Sequence, residues 1–228
     1  MKLLNIYLLV AFLPFFGFGQ QSPDYDKNLT VIRDTAIYNA QIKESYTNQL
    51  VEIIDIVPSI NLDIRYATAN NFTGEIVYNS PKAFARQPVA EALAIVQKVL
   101  NKHGLGLVIF DAYRPYSATV KFYEIYKDTT FVASPWKGSR HNRGAAVDVS
   151  LINLETGEEL QMPTPFDDFT EVAHPEYNNL PDNVLKNREI LINVMQNHGF
   201  RVYSSEWWHF DFIGWEAYDL MDIPFEEL

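Results

Sequence analysis

The chain has 228 residues, 47% hydrophobic and 14% aromatic, with 29 acidic against 18 basic side chains and a formal charge of -11. That length fits a single domain with enough apolar content for a sizeable core, and the acidity excludes a nucleic-acid binder, which needs a basic face for phosphate. The chain has no cysteine, which excludes disulfides, thiolate metal ligands and a lipid-modified cysteine.

Lys2 followed by an apolar run from Leu3 to Phe16 has the length of a signal-peptide core and is short for a comfortable membrane span, the alternative being an uncleaved anchor. Gly17-Phe18-Gly19 is a small-x-small cleavage pattern, so residues 1–19 are expected to be a signal peptide, cut before Gln20. Gln20 to Asn48 is polar and weakly periodic and is expected to be a tether, leaving 49–228 as one catalytic domain. Leu50 to Thr68 is β-rich, and alternation over Asn61 to Tyr66 predicts a half-buried strand. Asn70 to Glu75 is a turn.

The apolar spacing of Val89, Leu93, Val96 and Leu100 predicts a helix over Arg86 to His103, closed by Gly104. Leu105 to Phe110 reads as a buried strand that delivers Asp111-Ala112-Tyr113-Arg114-Pro115 to a corner, because Pro115 biases Arg114 away from helix. A helix follows over Tyr116 to Tyr126. Gly138 to Gly144 is a loop, and Ala145 to Leu151 a strand with Ala146, Asp148 and Ser150 on one face. Gln161 to Pro181 is long and irregular, as functional loops often are. Asn183 to His198 is a third helix ending at Gly199, and Phe200 to Tyr203 and His209 to Ile213 are closing strands. This order of elements predicts an α+β fold, a mainly antiparallel sheet flanked by helices.

Without thiols, a zinc site needs imidazoles and carboxylates, and a catalytic one takes three protein ligands. His141, Asp148 and His209 supply that number. Asp148 stands in an apolar strand, where an unpaired charge is costly; a metal would neutralise it, the alternative being a bond to backbone or to Arg143. Glu206 is a candidate for the carboxylate that takes a proton from water. It precedes His209 by three residues, which puts the two on opposite faces of a regular strand, so they converge only if Ser205 to Trp208 is bent. Arg114 suits an oxyanion stabiliser, or else a salt bridge to Asp111. His103 and His198 sit at helix ends, where a cation complements the dipole, and His174 has no motif around it.

Ser139-Arg140-His141-Asn142-Arg143-Gly144-Ala145-Ala146-Val147-Asp148 resembles the S-x-H-x-x-G-x-A-x-D motif of the zinc D,D-peptidases. Glu206-Trp207-Trp208-His209 is similar to their E-x-W-H motif, and Asp111 to Pro115 to their arginine corner. Arg65 to Gly74 and Met162 to Phe169 resemble stretches of the D-alanyl-D-alanine dipeptidases in particular. The likeness runs from about Val51 to about Ile213. It implies a fold shared with zinc D,D-carboxypeptidases and the hedgehog amino-terminal domain, and one zinc per chain on His141, Asp148 and His209. It also implies Glu206 as catalytic base, Arg114 at the tetrahedral intermediate, and Tyr66, Ser139 and Asp167 as the residues that grip a small D,D-dipeptide. The leader distinguishes this chain from cytoplasmic members and favours an exported, periplasmic enzyme of wall turnover over a resistance role. The alternatives are a D,D-carboxypeptidase or endopeptidase on peptidoglycan stems, and a non-catalytic zinc-binding module. The oligomeric state is not legible.

Overall fold

Strand β6, Ala146–Asn153, is the middle of the molecule, and its sequence says why. Val147, Val149 and Leu151 alternate with Ala146, Asp148 and Ser150, and all six are buried, so both faces of this strand are covered. The computed structural model describes residues 24–228; the expected signal peptide lies outside them. In chain order the elements are β1 (Val31–Ile32), α1 (Thr35–Glu44), β2 (Leu50–Glu52), α2 (Ile53–Ile56), β3 (Asn61–Leu62), β4 (Phe84–Arg86) and α3 (Gln87–Asn101). Then come β5 (Leu105–Asp111), α4 (Tyr116–Ile125), β6, α5 (Asp182–Gln196), β7 (Phe200–Tyr203), β8 (Glu206–Phe212) and β9 (Leu220–Met221).

The main sheet has five strands in the order β3-β5-β6-β8-β7, and only the β3–β5 pair is parallel. Helices α3 and α5 pack on this sheet and on each other, giving the α+β architecture the sequence predicts. Val89, Leu93, Val96 and Leu100 are the buried stripe of α3, each worth roughly 1.5–3 kcal/mol of burial. No helix among the described residues is long and apolar enough to cross a membrane.

Two expectations fail. Asp24 to Asn48 is not a free tether: β1 pairs with β9, and Tyr38 of α1 is buried, its hydroxyl accepting the Leu50 amide at 2.7 Å. The strand expected over Asn61 to Tyr66 stops at Leu62, and Arg65–Ala67 forms a 3-10 turn. The Tyr66 carbonyl is committed elsewhere, accepting the amides of Val77 and Tyr78 at 2.8 and 2.9 Å.

Register fixes the site. Asp148 on β6 lies opposite Asp111 on β5 and opposite His209 on β8, so three adjacent strands bring these side chains together. The loop before β6 is a 3-10 turn, His141–Arg143, ended by Gly144 at φ 66°. A Cβ there would stand 2.4 Å from Leu50 Cδ2. Gly144→Ala is therefore expected to cost about 2 kcal/mol or more from the left-handed backbone and the overlap. That corresponds to a Tm loss of roughly 4–8 °C in a thermal melt; an unchanged Tm would mean that Leu50 moves aside freely.

Candidate active site

His141 enters from the loop before β6, Asp148 from β6 itself and His209 from β8. Their inner atoms form a triangle. His141 Nε2 lies 3.1 Å from His209 Nδ1 and 3.3 Å from Asp148 Oδ1, and His209 Nδ1 lies 3.1 Å from Asp148 Oδ1. Ligands at zinc distances in a tetrahedron sit roughly 3.3–3.4 Å apart, so the triangle is nearly of zinc size. The outer nitrogens are both engaged: His141 Nδ1 bonds the Ala112 carbonyl at 2.7 Å and His209 Nε2 bonds Asp211 Oδ1 at 3.0 Å. These bonds place the imidazole protons outward and aim both lone pairs inward. Asp148 Oδ1 is buried and makes no well-aligned hydrogen bond. Three acceptors converging in a buried space call for a cation.

The electrostatics agree. Burial alone would lower the His209 imidazole, but the neighbouring carboxylates of Asp148 and Asp211 outweigh it and push it up to about 10. Burial would raise the Asp148 carboxyl, yet His141 and His209 hold it well below the usual carboxylate range. Among the described residues, this is the group of His, Asp and Glu side chains arranged to share an ion. Arg143 does not reach Asp148; it bonds the Tyr218 carbonyl and lies over the Trp215 ring. His103, His174 and His198 stay outside, and His198, just past α5, bonds the Val194 carbonyl through Nδ1.

The bend that Glu206 requires is present. Pairing between β7 and β8 runs Val202↔Phe210 and then jumps to Tyr203↔Glu206, so the extra β8 residues bulge and re-aim their side chains. Glu206 Oε2 thereby comes within 3.8 Å of His209 Nδ1. Burial pushes its carboxyl up to about 7, against the pull of His209, a value that suits a group that takes and returns a proton at neutral pH.

Arg114 makes the expected salt bridge to Asp111 and also borders the triad. Its Nε and Nη2 donate to Asp111 Oδ2 at 2.9 and 2.7 Å, while Nη2 also lies 3.9 Å from Asp148 Oδ2. Asp111 is itself fixed by the Tyr78 hydroxyl and the Ala112 amide, each at 2.9 Å from Oδ1. The guanidinium lies over the rings of Tyr66 and Phe122.

A cavity of about 440 Å³ joins these groups, and Tyr66, Ser139 and Asp167 line it too. The Tyr66 hydroxyl donates to both oxygens of Asp167 at 3.1 Å. Asp167 has φ 61°, the one non-glycine residue with positive φ among those described. Its loop is pinned to β8: Trp207 Nε1 donates to Thr164 Oγ1 at 3.0 Å, and Phe166 packs edge-on against Trp208. Asp168 faces elsewhere, its Oδ1 accepting the Thr170 amide. Ser139 Oγ accepts the His141 amide at 3.2 Å and so braces the ligand loop. The sequence reading missed Asp211, although its spacing of two from His209 along a strand puts both on one face.

A purely structural ion has no use for a neighbouring carboxyl of raised pKa or for a guanidinium held at its edge, whereas hydrolysis uses both. Fold and site together define a metal-dependent hydrolase. A sequence profile of the D-ala-D-ala dipeptidases matches residues 46–225, and the chain belongs to that family. It is 34% identical over 181 residues to the D-alanyl-D-alanine dipeptidase of Escherichia coli, covering 79% of this chain and 93% of that one. To the D-alanyl-D-alanine dipeptidase of Enterococcus faecium it is 32% identical over 176 residues, 68% of this chain and 87% of the other.

Proposed function

We propose that the protein hydrolyses the free dipeptide D-Ala-D-Ala to two D-alanines, with one zinc ion held by His141, Asp148 and His209. The observation that carries the dipeptide reading is the cavity wall at Asp167, a half-buried carboxylate on a pinned loop beside the triad. Burial and the nearby Asp148 push its carboxyl well above the ordinary range. The ammonium of a free dipeptide relieves that cost, whereas the blocked amine of a longer stem peptide does not. Family membership supports the same substrate. Two imidazoles and a carboxylate with inner atoms 3.1–3.3 Å apart suit zinc.

When bound, zinc supplies a water of lowered pKa and polarises the scissile carbonyl. Glu206 removes a proton from the attacking water and returns it to the leaving amine. Arg114 faces the oxyanion, and Tyr66 and Asp167 hold the ammonium end. Ser139 keeps the His141 loop in place and lines the cavity near the substrate. The apolar run from Leu3 to Phe16 and the substrate support an exported location and a role in wall-fragment turnover.

The test is release of D-alanine from D-Ala-D-Ala and from a pentapeptide ending in D-Ala-D-Ala, each with and without a chelator. Chelator-sensitive cleavage of the dipeptide alone is expected. Cleavage of the pentapeptide instead makes this a wall-trimming carboxypeptidase, and cleavage of neither returns the site to a binding role.

A further inference from the structure

We infer that Asp211 is a positioning residue that fixes which nitrogen His209 presents to the metal, and so sets the affinity of the site. The inference rests on the reading of His209 as a ligand. Asp211 follows His209 by two residues on β8 and shares its face. In register it stands opposite Ala146 on β6, while His209 stands opposite Asp148. Its Oδ1 takes the Nε2 proton of His209 at 3.0 Å, which leaves Nδ1, the nitrogen nearer the backbone, to face Asp148 and His141.

The other oxygen of Asp211 is also held. Oδ2 lies 3.6 Å from Nε of Arg140, which sits in the loop between Ser139 and the ligand His141. The Arg140 guanidinium in turn lies over the rings of Tyr203 and Trp215 at 5.6 and 5.0 Å. Tyr203 stands edge-on to the His209 ring at 5.3 Å. The imidazole thus has its outer edge bonded and one flank packed, and a rotation that presented Nε2 inward would break the bond to Asp211.

The two imidazoles differ in what holds them. His141 leans on a backbone carbonyl, that of Ala112, which no substitution removes. Among the described residues Asp211 is the side chain that hydrogen-bonds the outer nitrogen of an imidazole of the triad. It also brings a negative charge, which raises the basicity of the ring as a ligand, and loss of such a partner typically weakens metal binding by about 10–100-fold.

The experiment is a zinc titration of the chelator-stripped protein in competition with a chromophoric chelator. It compares wild type, Asp211→Ala and Asp211→Asn, with dipeptide hydrolysis measured at limiting and at excess zinc. Asp211→Ala should bind zinc about 10–100-fold more weakly, and Asp211→Asn, which keeps an acceptor but loses the charge, about three- to tenfold more weakly. Activity of both should recover toward wild type as zinc is raised, a response that a merely misfolded variant would not give. Wild-type affinity in Asp211→Ala overturns the inference. Should that variant not fold, affinity within twofold of wild type in Asp211→Asn overturns it. A wild type that binds no zinc at all would sink the metal site itself, which is a different result.

Discussion

Replacing Glu206 by Gln should leave zinc in place and remove turnover by about 10²–10⁴-fold, the usual contribution of a positioned general base. The two halves of that expectation come from separate observations. Glu206 Oε2 stands 3.8 Å from His209 Nδ1, close to the donor triangle, while the triangle itself is complete with His141, Asp148 and His209. An amide of the same shape can occupy the bulge of β8 but cannot accept a proton from water. His209→Ala is the contrast, because it removes a corner of the triangle and should lose the metal as well as the activity. Zinc per chain and kcat on D-Ala-D-Ala, measured on the same preparations, separate the two variants. Near-normal turnover in Glu206→Gln would exclude it as the base, and full zinc in His209→Ala would move that ligand elsewhere.

Much of this arrangement is legible before any coordinates, and what is not has physical reasons. Helix α3 and strands β5 and β6 announce themselves because their burial is strongly one-sided or complete, so apolar spacing reports it. Helix α1 escapes because it fully buries a single residue, Tyr38, which leaves almost no periodicity to read. Its start was nevertheless written in Asp34, whose carboxylate caps the Ala36 amide at 2.7 Å. The turn at Arg65–Ala67 depends on Val77 and Tyr78 arriving from further along the chain, which local alternation cannot foresee.

The site divides in the same way. Residue types could nominate His141, Asp148 and His209, since a chain without cysteine leaves few other ligands. Convergence of Glu206 with His209 could only be posed as a condition, because the β8 bulge is a property of its pairing with β7. Asp211 was within reach of simple strand alternation. The local sequence offers Asp111 as a partner of Arg114, and the pair they form stands beside Asp148.

That double engagement makes the second large prediction. Arg114→Ala should lower kcat by about 10²–10³-fold, the range seen when an oxyanion donor is removed, with a smaller change in KM. Asp111 holds Nε and Nη2, and Nη2 also lies beside Asp148, so the guanidinium stands fixed at the edge of the triad. Arg114→Lys should recover little of the loss, because a single ammonium cannot both satisfy Asp111 and reach the oxyanion. Each substitution also weakens a buried ion pair, and in the alanine variant Asp111 is left without its cation at a cost of roughly 3–5 kcal/mol. Both variants must therefore be assayed well below their own melting temperatures, with zinc content checked. A loss confined to KM would make Arg114 a residue that binds the substrate in its ground state. A lysine variant with wild-type kcat would show that charge alone, without the fork, stabilises the transition state.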